Sequence, residues 1–369
     1  MSLSEGVPLF KVFVAPTAGD ALQDVLYSGY IAEGAKVEEL TELVTDYIGN
    51  PRCVLMNSCT SALTIAYRIS GVGPGDEVVT TPLTCIASNS PIIQLGARPV
   101  WADVDPATGM ITAETIEPCL TSKTKAILVL HKEGDPVHMA PILELAHARG
   151  IKVIEDAAHA FGAKHAGKNV GCHGDFVCFS FQAIKHMTTG DGGALACADE
   201  DDYRRARKMK WLGVDKFAPT SSSPWEDDIA EWGLKANMND LSAAIGVEQM
   251  KHIDFIIGAH HRNGMRYDAN LRDVAGIGRV PRSSDDYSAF WAYSMQVDDP
   301  KGLAKCLADI GVSAQQIHPR NDVYSMFAAS RTELPNTDVF AKREIALPCG
   351  WWMDESDVDQ ICERISDWL

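Results

Sequence analysis

The stretch Val153-Ile154-Glu155-Asp156-Ala157-Ala158-His159 is a short apolar run that ends in two carboxylates and continues into small residues. Ligands of open α/β sheets lie at the carboxyl ends of the strands, so Asp156 is placed to contact a ligand. The alternative is that Asp156 caps a helix, because Asp favours that position. This stretch alone leaves both interpretations open.

Apolar runs of strand length recur along the chain and alternate with amphipathic segments long enough to be helical crossovers. They lie at residues 77–80, 98–103, 126–130, 151–154 and 176–181. This alternation predicts an α/β protein with a mostly parallel sheet and helices on both faces. The length of 369 residues suits a large α/β domain, residues 1–245, and a smaller C-terminal α+β domain, residues 246–369. Residues 239–257 are predicted to form one long helix.

Composition narrows the classes of function. The formal net charge of −17 argues against a broad surface for nucleic acid or anionic membrane. No apolar run reaches the roughly 18 residues needed to span a bilayer, and a cytoplasmic protein is expected. The ten cysteines include no C-x-x-C pair, so no metal site is expected. The adjacent His260 and His261 are interpreted as part of a solvated helix rather than as metal ligands.

A lysine stands in an unusual context within Phe179-Ser180-Phe181-Gln182-Ala183-Ile184-Lys185-His186, which leads to Thr188-Thr189-Gly190-Asp191-Gly192-Gly193. The pattern predicts a strand, a loop that carries Lys185, and a glycine-rich turn. Burial lowers the pKa of an amine, which suits a lysine that forms a Schiff base or acts as a general base. Taken alone, an ordinary surface lysine is the commoner explanation.

The segment Met56-Asn57-Ser58-Cys59-Thr60-Ser61-Ala62-Leu63 begins what is predicted to be a helix. Helix N-termini present free N–H groups and positive dipole charge, so they bind phosphate readily. Simple capping by Asn57 or Ser58 explains the same residues without a ligand. An anion site, a strand-end carboxylate and a loop lysine, in this chain order, are together what a pyridine-aldehyde phosphate cofactor requires.

With these motifs the chain resembles the DegT/DnrJ/EryC1/StrS family of sugar aminotransferases, and most closely its perosamine-synthase branch. The resemblance extends from the segment 28–34 to Leu347-Pro348-Cys349-Gly350. It implies the aspartate aminotransferase fold, a pyridoxal-phosphate-dependent transferase of fold type I with a seven-stranded sheet. The cofactor it implies is pyridoxal 5'-phosphate.

The resemblance also implies a role for individual residues. Lys185 corresponds to the lysine that carries the cofactor as a Schiff base, and Asp156 to the partner of the pyridine nitrogen. His159 falls beside the ring hydroxyl and Ser180 among the phosphate ligands. Cys59 and Thr60 occupy the family's Gly-Thr phosphate turn.

The sequence departs from the family at two cofactor positions. In Pro82-Leu83-Thr84-Cys85-Ile86, Cys85 stands where many relatives have an aromatic residue that stacks on the cofactor ring. A buried small hydrophobic residue explains Cys85 equally well. In Gly233-Leu234-Lys235-Ala236-Asn237, Lys235 aligns with an asparagine that reaches the cofactor phosphate of the neighbouring subunit. An ammonium group suits that role, although a solvated lysine is the alternative.

Three further residues are candidates for contacts with substrate. His318 and Arg320 lie in a segment that matches a substrate-facing loop of the smaller domain, where Arg320 could bind a pyrophosphate through two hydrogen bonds. His131 follows an apolar run and could also face the pocket. An ordinary surface loop explains the first two equally well.

The resemblance implies a homodimer with shared active sites that transfers an amino group, with glutamate as the expected donor, to a nucleotide-linked keto sugar. A GDP- or dTDP-4-keto-6-deoxyhexose is the expected acceptor. One alternative is a sugar 3-dehydratase of the same family, in which histidine replaces the catalytic lysine. Another is a catalytically idle regulatory homologue, against which the presence of both Asp156 and Lys185 argues.

Overall fold

The computed structural model describes residues 6–216 and 218–369, so the first five residues of the predicted large domain lie outside the described part. The strands in the described residues are β1 (Cys53–Met56), β2 (Glu77–Thr80), β3 (Arg98–Trp101), β4 (Thr124–Leu130), β5 (Lys152–Asp156), β6 (Lys164–His165), β7 (Lys168–Asn169), β8 (Phe176–Ser180), β9 (Gly193–Cys197), β10 (Gly278–Arg279), β11 (Asp286–Tyr287), β12 (Tyr293–Gln296) and β13 (Glu344–Leu347). The helices there are α1 (Ala18–Tyr27), α2 (Ala35–Ile48), α3 (Cys59–Ile69), α4 (Ile86–Gln94), α5 (Ala113–Ile116), α6 (Met139–His147), α7 (Glu200–Met209), α8 (Asp240–Met250), α9 (Ile253–Asn270), α10 (Pro300–Ala308), α11 (Pro335–Arg343) and α12 (Glu355–Trp368).

A seven-stranded sheet in the order β1-β9-β8-β5-β4-β2-β3 forms the centre of the large domain. The neighbours from β8 to β3 are all parallel, whereas β9 runs antiparallel to β8 and β1. The prediction of a mostly parallel sheet is therefore confirmed. Strands such as β1, β5 and β8 are buried almost throughout, which is why they read as continuous apolar runs.

The carboxyl ends of β4, β5 and β8 meet at one edge of this sheet, because parallel strands share a direction. Two apolar layers cover the sheet. One contains Leu40, Val44 and Phe179, and the other contains Leu63, Ile65 and Tyr67. The sheet is therefore a rigid frame whose carboxyl edge can hold a site.

A smaller core forms around the three-stranded sheet β10-β12-β13 and helices α9, α10 and α12. It includes Tyr267 and Tyr293 and also Val7, so residue 7 packs with this unit rather than with the large sheet. Helix α9 contributes Ile257 to the large core and Tyr267 to the small one. The boundary between residues 245 and 246 stays a prediction, and α9 is the element that belongs to both cores.

The predicted single helix over residues 239–257 is wrong, since α8 ends at Met250 and α9 begins at Ile253. His252 has non-helical dihedral angles and its N–H donates to the Gln249 carbonyl, which closes a tight turn. The side chain of Gln249 then binds the backbone of Phe13 and Ala15. The N-terminal arm is thus held at the break between the two helices. No helix in the described residues is both long and apolar enough to cross a membrane.

Candidate active site

Asp156 is the last residue of β5 and lies at the carboxyl edge of the sheet. Its carboxylate is buried and accepts hydrogen bonds from Ser88 Oγ at 2.6 Å and from the Ala158 N–H at 3.1 Å. Because the single hydroxyl proton of Ser88 goes to Asp156, the Thr84 hydroxyl, at 2.7 Å, donates to Ser88. Burial raises the pKa of Asp156, and the contacts with Ser88, Ala158 and Lys185 oppose that rise.

Lys185 lies in the turn after β8, where its N–H donates to the Gln182 carbonyl. Its amine is 3.7 Å from the ring centroid of Trp291, and the Trp291 indole N–H donates to the Ile184 carbonyl at 2.8 Å. Burial lowers the pKa of Lys185 to about 8, and the nearby Asp156 partly opposes this shift. A larger share of this amine than of an exposed lysine is therefore neutral, and able to react, close to neutral pH.

His159 stands beside Lys185 in a group of nearly parallel rings. Its ring stacks on Trp291 with centroids 3.9 Å apart, and the His318 ring lies 5.8 Å from it. His159 Nδ1 and His318 Nε2 are buried and have no hydrogen-bond partner in the described residues. Burial and the nearby Lys185 lower the pKa of both imidazoles, that of His318 to about 4, so both rings are neutral at pH 7.

The N-terminus of α3 lies next to these groups, because β1, β9 and β8 are adjacent in the sheet. Ser58 caps the helix by accepting the Ser61 N–H, and the N–H groups of Cys59 and Thr60 open its first turn. Gly193 packs directly beneath, where a Cβ atom would lie 2.4 Å from the Cys59 nitrogen. Ser180, at the end of β8, lies opposite Gly193, the first residue of the neighbouring strand β9.

These residues fit a pyridine phosphate held at the sheet edge. The buried Asp156 carboxylate suits a protonated ring nitrogen, and the unpartnered His159 Nδ1 suits a ring hydroxyl. The free N–H groups at the start of α3 suit a phosphate. The described residues contain no cluster of three or more histidine, cysteine or acidic side chains arranged to hold a metal.

Cys85 and Lys235 lie at different places around the site. Cys85 is partly buried at the start of α4, close enough to Lys185 to oppose the lowering of its pKa. Lys235 is exposed, and its amine lies 3.3 Å from the ring centroid of Trp211 and donates to Asn237 Oδ1 at 2.7 Å. Lys235 therefore remains a surface cation that a second subunit could approach.

Two of the side chains predicted to contact substrate are instead bound to other protein groups. His131 is fully buried: its Nδ1 accepts the Val137 N–H, so its Nε2 donates to Glu155 Oε2 at 2.7 Å. Contrary to the expectation from its strand-end position, it offers no surface to a substrate. The Arg320 guanidinium is likewise taken up, by Asp322 at 2.6 Å and by Asp338, and is not free to bind a pyrophosphate.

The paired histidines of α9 also differ from expectation. His260 is buried and its Nδ1 hydrogen-bonds to the Phe290 carbonyl at 2.8 Å, whereas His261 is partly buried and stacks on Tyr287. Their environment is therefore a packing surface inside the protein rather than a solvated helix face. The helical position of the two residues could be read from the sequence, but the segment 287–290 that covers them could not.

Sequence reasoning missed Ser88 and Trp291, which contact Asp156 and Lys185 directly. Ser88 could have been suspected, because it follows Thr84 by one helical turn in a segment already assigned to the cofactor. Trp291 has no such signal, since its partner Ile184 lies 107 residues earlier in the chain. Only the folded small domain brings it to the site.

This fold places the chain among the pyridoxal-phosphate-dependent transferases of fold type I. Within that class, the chain belongs to the DegT/DnrJ/EryC1/StrS aminotransferase family, whose model matches residues 15–366. It is a sugar aminotransferase, as the resemblance in sequence implied.

Individual relatives match over nearly their whole length. The spore coat polysaccharide biosynthesis protein SpsC of Bacillus subtilis is 33% identical, with 97% of each chain covered. The UDP-4-amino-4-deoxy-L-arabinose–oxoglutarate aminotransferase of Shewanella sediminis is 31% identical, with 99% of this chain and 98% of that protein covered. The crystal structure of the sugar aminotransferase CalS13 from Micromonospora echinospora superposes with a TM-score of 0.93 at 35% identity, covering 98% of this chain and 99% of that one.

Proposed function

We propose that this enzyme binds pyridoxal 5'-phosphate through Lys185 and Asp156 and transfers an amino group from glutamate to a nucleotide-linked keto sugar. The observation that carries the proposal is the pairing of a partly buried lysine, whose amine has a lowered pKa, with the buried Asp156 carboxylate at one sheet edge. His159 would contact the ring hydroxyl. Ser180, Cys59 and Thr60 would hold the phosphate, and Cys85 would cover one face of the ring.

Bound pyridoxal phosphate supplies an electron sink for the substrate carbon that loses its proton. Asp156 keeps a proton on the ring nitrogen, because a buried carboxylate with two donors is a strong partner for a cation. The Lys185 amine, with a pKa of about 8, would take up the proton from the substrate carbon and deliver it to the aldehyde carbon of the cofactor. Trp291 limits where that amine can move.

The acceptor is inferred from the relatives and from the His318 ring beside the site. The name of the Shewanella sediminis relative describes an amino sugar attached to UDP and an oxoglutarate half-reaction, which together support a nucleotide-linked acceptor and glutamate as donor. The neutral His318 ring beside His159 suits a sugar hydroxyl or keto oxygen. A 4-keto-6-deoxyhexose of the perosamine type is the acceptor that we propose first.

We further propose a homodimer that shares its two active sites. An apolar surface around α1 supports a partner subunit, since Tyr27 and Tyr30 are 82% and 83% exposed and Leu26 lies beside them. Lys235 would reach the cofactor phosphate of that partner. Co-expression of Lys185→Ala and Lys235→Gln chains tests this, because each mixed dimer would then contain one site with both lysines. Activity above that of either variant alone is expected. Its absence would contradict the proposal of a shared site.

The substrate is tested with ¹⁵N-glutamate and a panel of nucleotide-linked keto sugars, with products analysed by mass. Exchange of the keto oxygen for labelled nitrogen is expected, and it should disappear in Lys185→Ala. Loss of a hydroxyl without gain of nitrogen would instead assign a 3-dehydratase. A protein without a cofactor absorption band or product would be an idle homologue.

A further inference from the structure

A buried group of three charged side chains lies beside the active site and takes no part in the chemistry described above. Lys132 donates to both carboxylate oxygens of Glu133, at 2.6 and 2.7 Å, and to Glu344 Oε1. The three side chains are each 7% exposed or less. We call this group the buried triad; it joins the turn after β4 to strand β13 of the small domain.

Fold stability is a weak explanation for the buried triad. Removing ions from water is unfavourable, and apolar replacements of buried ion pairs are often neutral or stabilising. The two carboxylates also outnumber the single ammonium, which leaves one excess negative charge when all three groups are ionised. Gln316 and Ser294 donate to Glu344 at 3.3 and 3.4 Å, so neutral contacts complete the network without balancing its charge.

The turn that carries Lys132 and Glu133 fixes the segment of Trp291. Glu133 adopts a left-handed conformation with φ 48°, which is strained for a non-glycine residue. In this conformation its carbonyl accepts the Trp291 N–H at 2.8 Å, and the Gly134 carbonyl accepts the Ala289 N–H at 3.0 Å. Phe290 between them is also left-handed, with φ 42°. The two strained residues therefore lie in segments that are hydrogen-bonded to each other beside the site.

Trp291 connects this turn to the catalytic lysine. Its indole N–H donates to the Ile184 carbonyl, and its ring centroid lies 3.7 Å from the Lys185 amine. The chain of contacts therefore runs from the buried triad through the Glu133 peptide to Trp291 and Lys185. Every step is a hydrogen bond or a ring contact between buried or partly buried groups.

The charge of the buried triad also acts on Lys185. Glu133 is one of the acids that oppose the lowering of the Lys185 pKa, together with Asp156, Cys59 and Cys85. The groups facing Glu133 are Lys132, Glu344 and Asp135, and burial raises the pKa of Glu133 to about 7. Arg282 binds Asp135, and His159 and His318 face Lys132.

We propose that the buried triad is a positioning element for Lys185: it holds the turn that fixes Trp291 beside the amine, and its excess negative charge favours the ammonium form of that amine. The inference rests on the proposed function, because it treats Lys185 as the catalytic lysine. It adds Glu133 as a positioning residue that touches neither cofactor nor substrate.

The test measures the protonation of Lys185 in the full-length chain after removal of the cofactor. Acetic anhydride in trace amounts acetylates neutral amines, and peptide mass spectrometry over a pH series gives the midpoint at which Lys185 becomes reactive. Glu133→Gln keeps the shape of the side chain but removes its charge, so the midpoint should fall by about half a pH unit or more.

Glu344→Gln removes the same excess charge from the small-domain side and provides a second arm if Glu133→Gln does not fold. The matched control is Glu77→Gln. Glu77 is likewise a buried acid paired with a cation, Arg98, but it begins β2 and so lies at the edge of the sheet away from the site. Its midpoint should equal that of the wild type. An unchanged midpoint in both triad variants would overturn the inference. Absence of a cofactor band in the wild type would instead overturn the proposed function, while the midpoints would remain measurable.

Discussion

Removal of the Ser88 hydroxyl by Ser88→Ala should raise the pKa of Asp156, the carboxyl group that is proposed to bind the cofactor ring. Ser88 Oγ donates to Asp156 Oδ2 at 2.6 Å, and both groups are buried. A hydrogen bond to an ionised group contributes about 1.5–3 kcal/mol, and about 1.4 kcal/mol corresponds to one pKa unit. Because Thr84 can turn its hydroxyl towards the vacated space, we expect the pKa of Asp156 to rise by about one unit.

The assay is the pH profile of kcat/KM for amino transfer. The Ser88 hydrogen bond stabilises the ionised carboxylate, so its loss lets Asp156 take up a proton at higher pH. The acid limb of the profile should therefore move upward by about one unit, while activity above that limb changes little. The control is Ser70→Ala, whose hydroxyl donates only to a carbonyl within α3. An unmoved acid limb in a folded, cofactor-loaded Ser88→Ala would refute the reasoning.

Asp156→Asn should lower kcat at least about a hundredfold, because removing one partner of a buried charge pair costs about 3–5 kcal/mol; steady-state kinetics measures it. Gly193→Ala should weaken cofactor binding, measured by absorbance titration, because the new Cβ would lie 2.4 Å from the Cys59 nitrogen at the start of α3. Thermal unfolding should show stability falling between about pH 6.5 and pH 4, because burial lowers the pKa of His260 to about 4 and the pKa of His186 well below its usual value, so the unfolded chain binds more protons. Ionisation of His260 alone should account for about 3 kcal/mol at the acid end of that range.

The controls for these experiments use matched positions. Gly19→Ala introduces a Cβ with no atom within 4 Å and should leave cofactor binding intact. Equal losses in Gly193→Ala and Gly19→Ala would contradict the proposed packing at α3. A melting temperature that stays constant from pH 7 to pH 4 would contradict the neutral buried histidines.

The sequence was informative about the sheet and the two ends of the cofactor site. Parallel strands buried on both faces must be apolar throughout, so the run that ends at Asp156 could be recognised. The N-terminus of α3 and the turn with Lys185 were predicted from small residues and glycines, which are local signals. Hydrophobic periodicity did not reveal the break before α9, because the apolar pattern continues across His252.

Contacts between distant segments were the part that sequence could not supply. His131 and Arg320 were reasonable ligands by position, but their partners Glu155 and Asp338 are recognisable only after folding. Likewise, nothing in the sequence near Trp291 indicates that its ring lies beside Lys185. Whether a charged residue is free for substrate depends on tertiary neighbours, so this part of the site had to come from the structure.

The central claim is that the Lys185 amine carries the cofactor. Reduction of the pyridoxal-phosphate-loaded enzyme with borohydride makes that link permanent, and peptide mass spectrometry then identifies the modified residue. We expect a reduced pyridoxyl phosphate group on Lys185 of the wild type and none on the corresponding peptide of Lys185→Arg. Modification of another lysine, or of none, would contradict the claim.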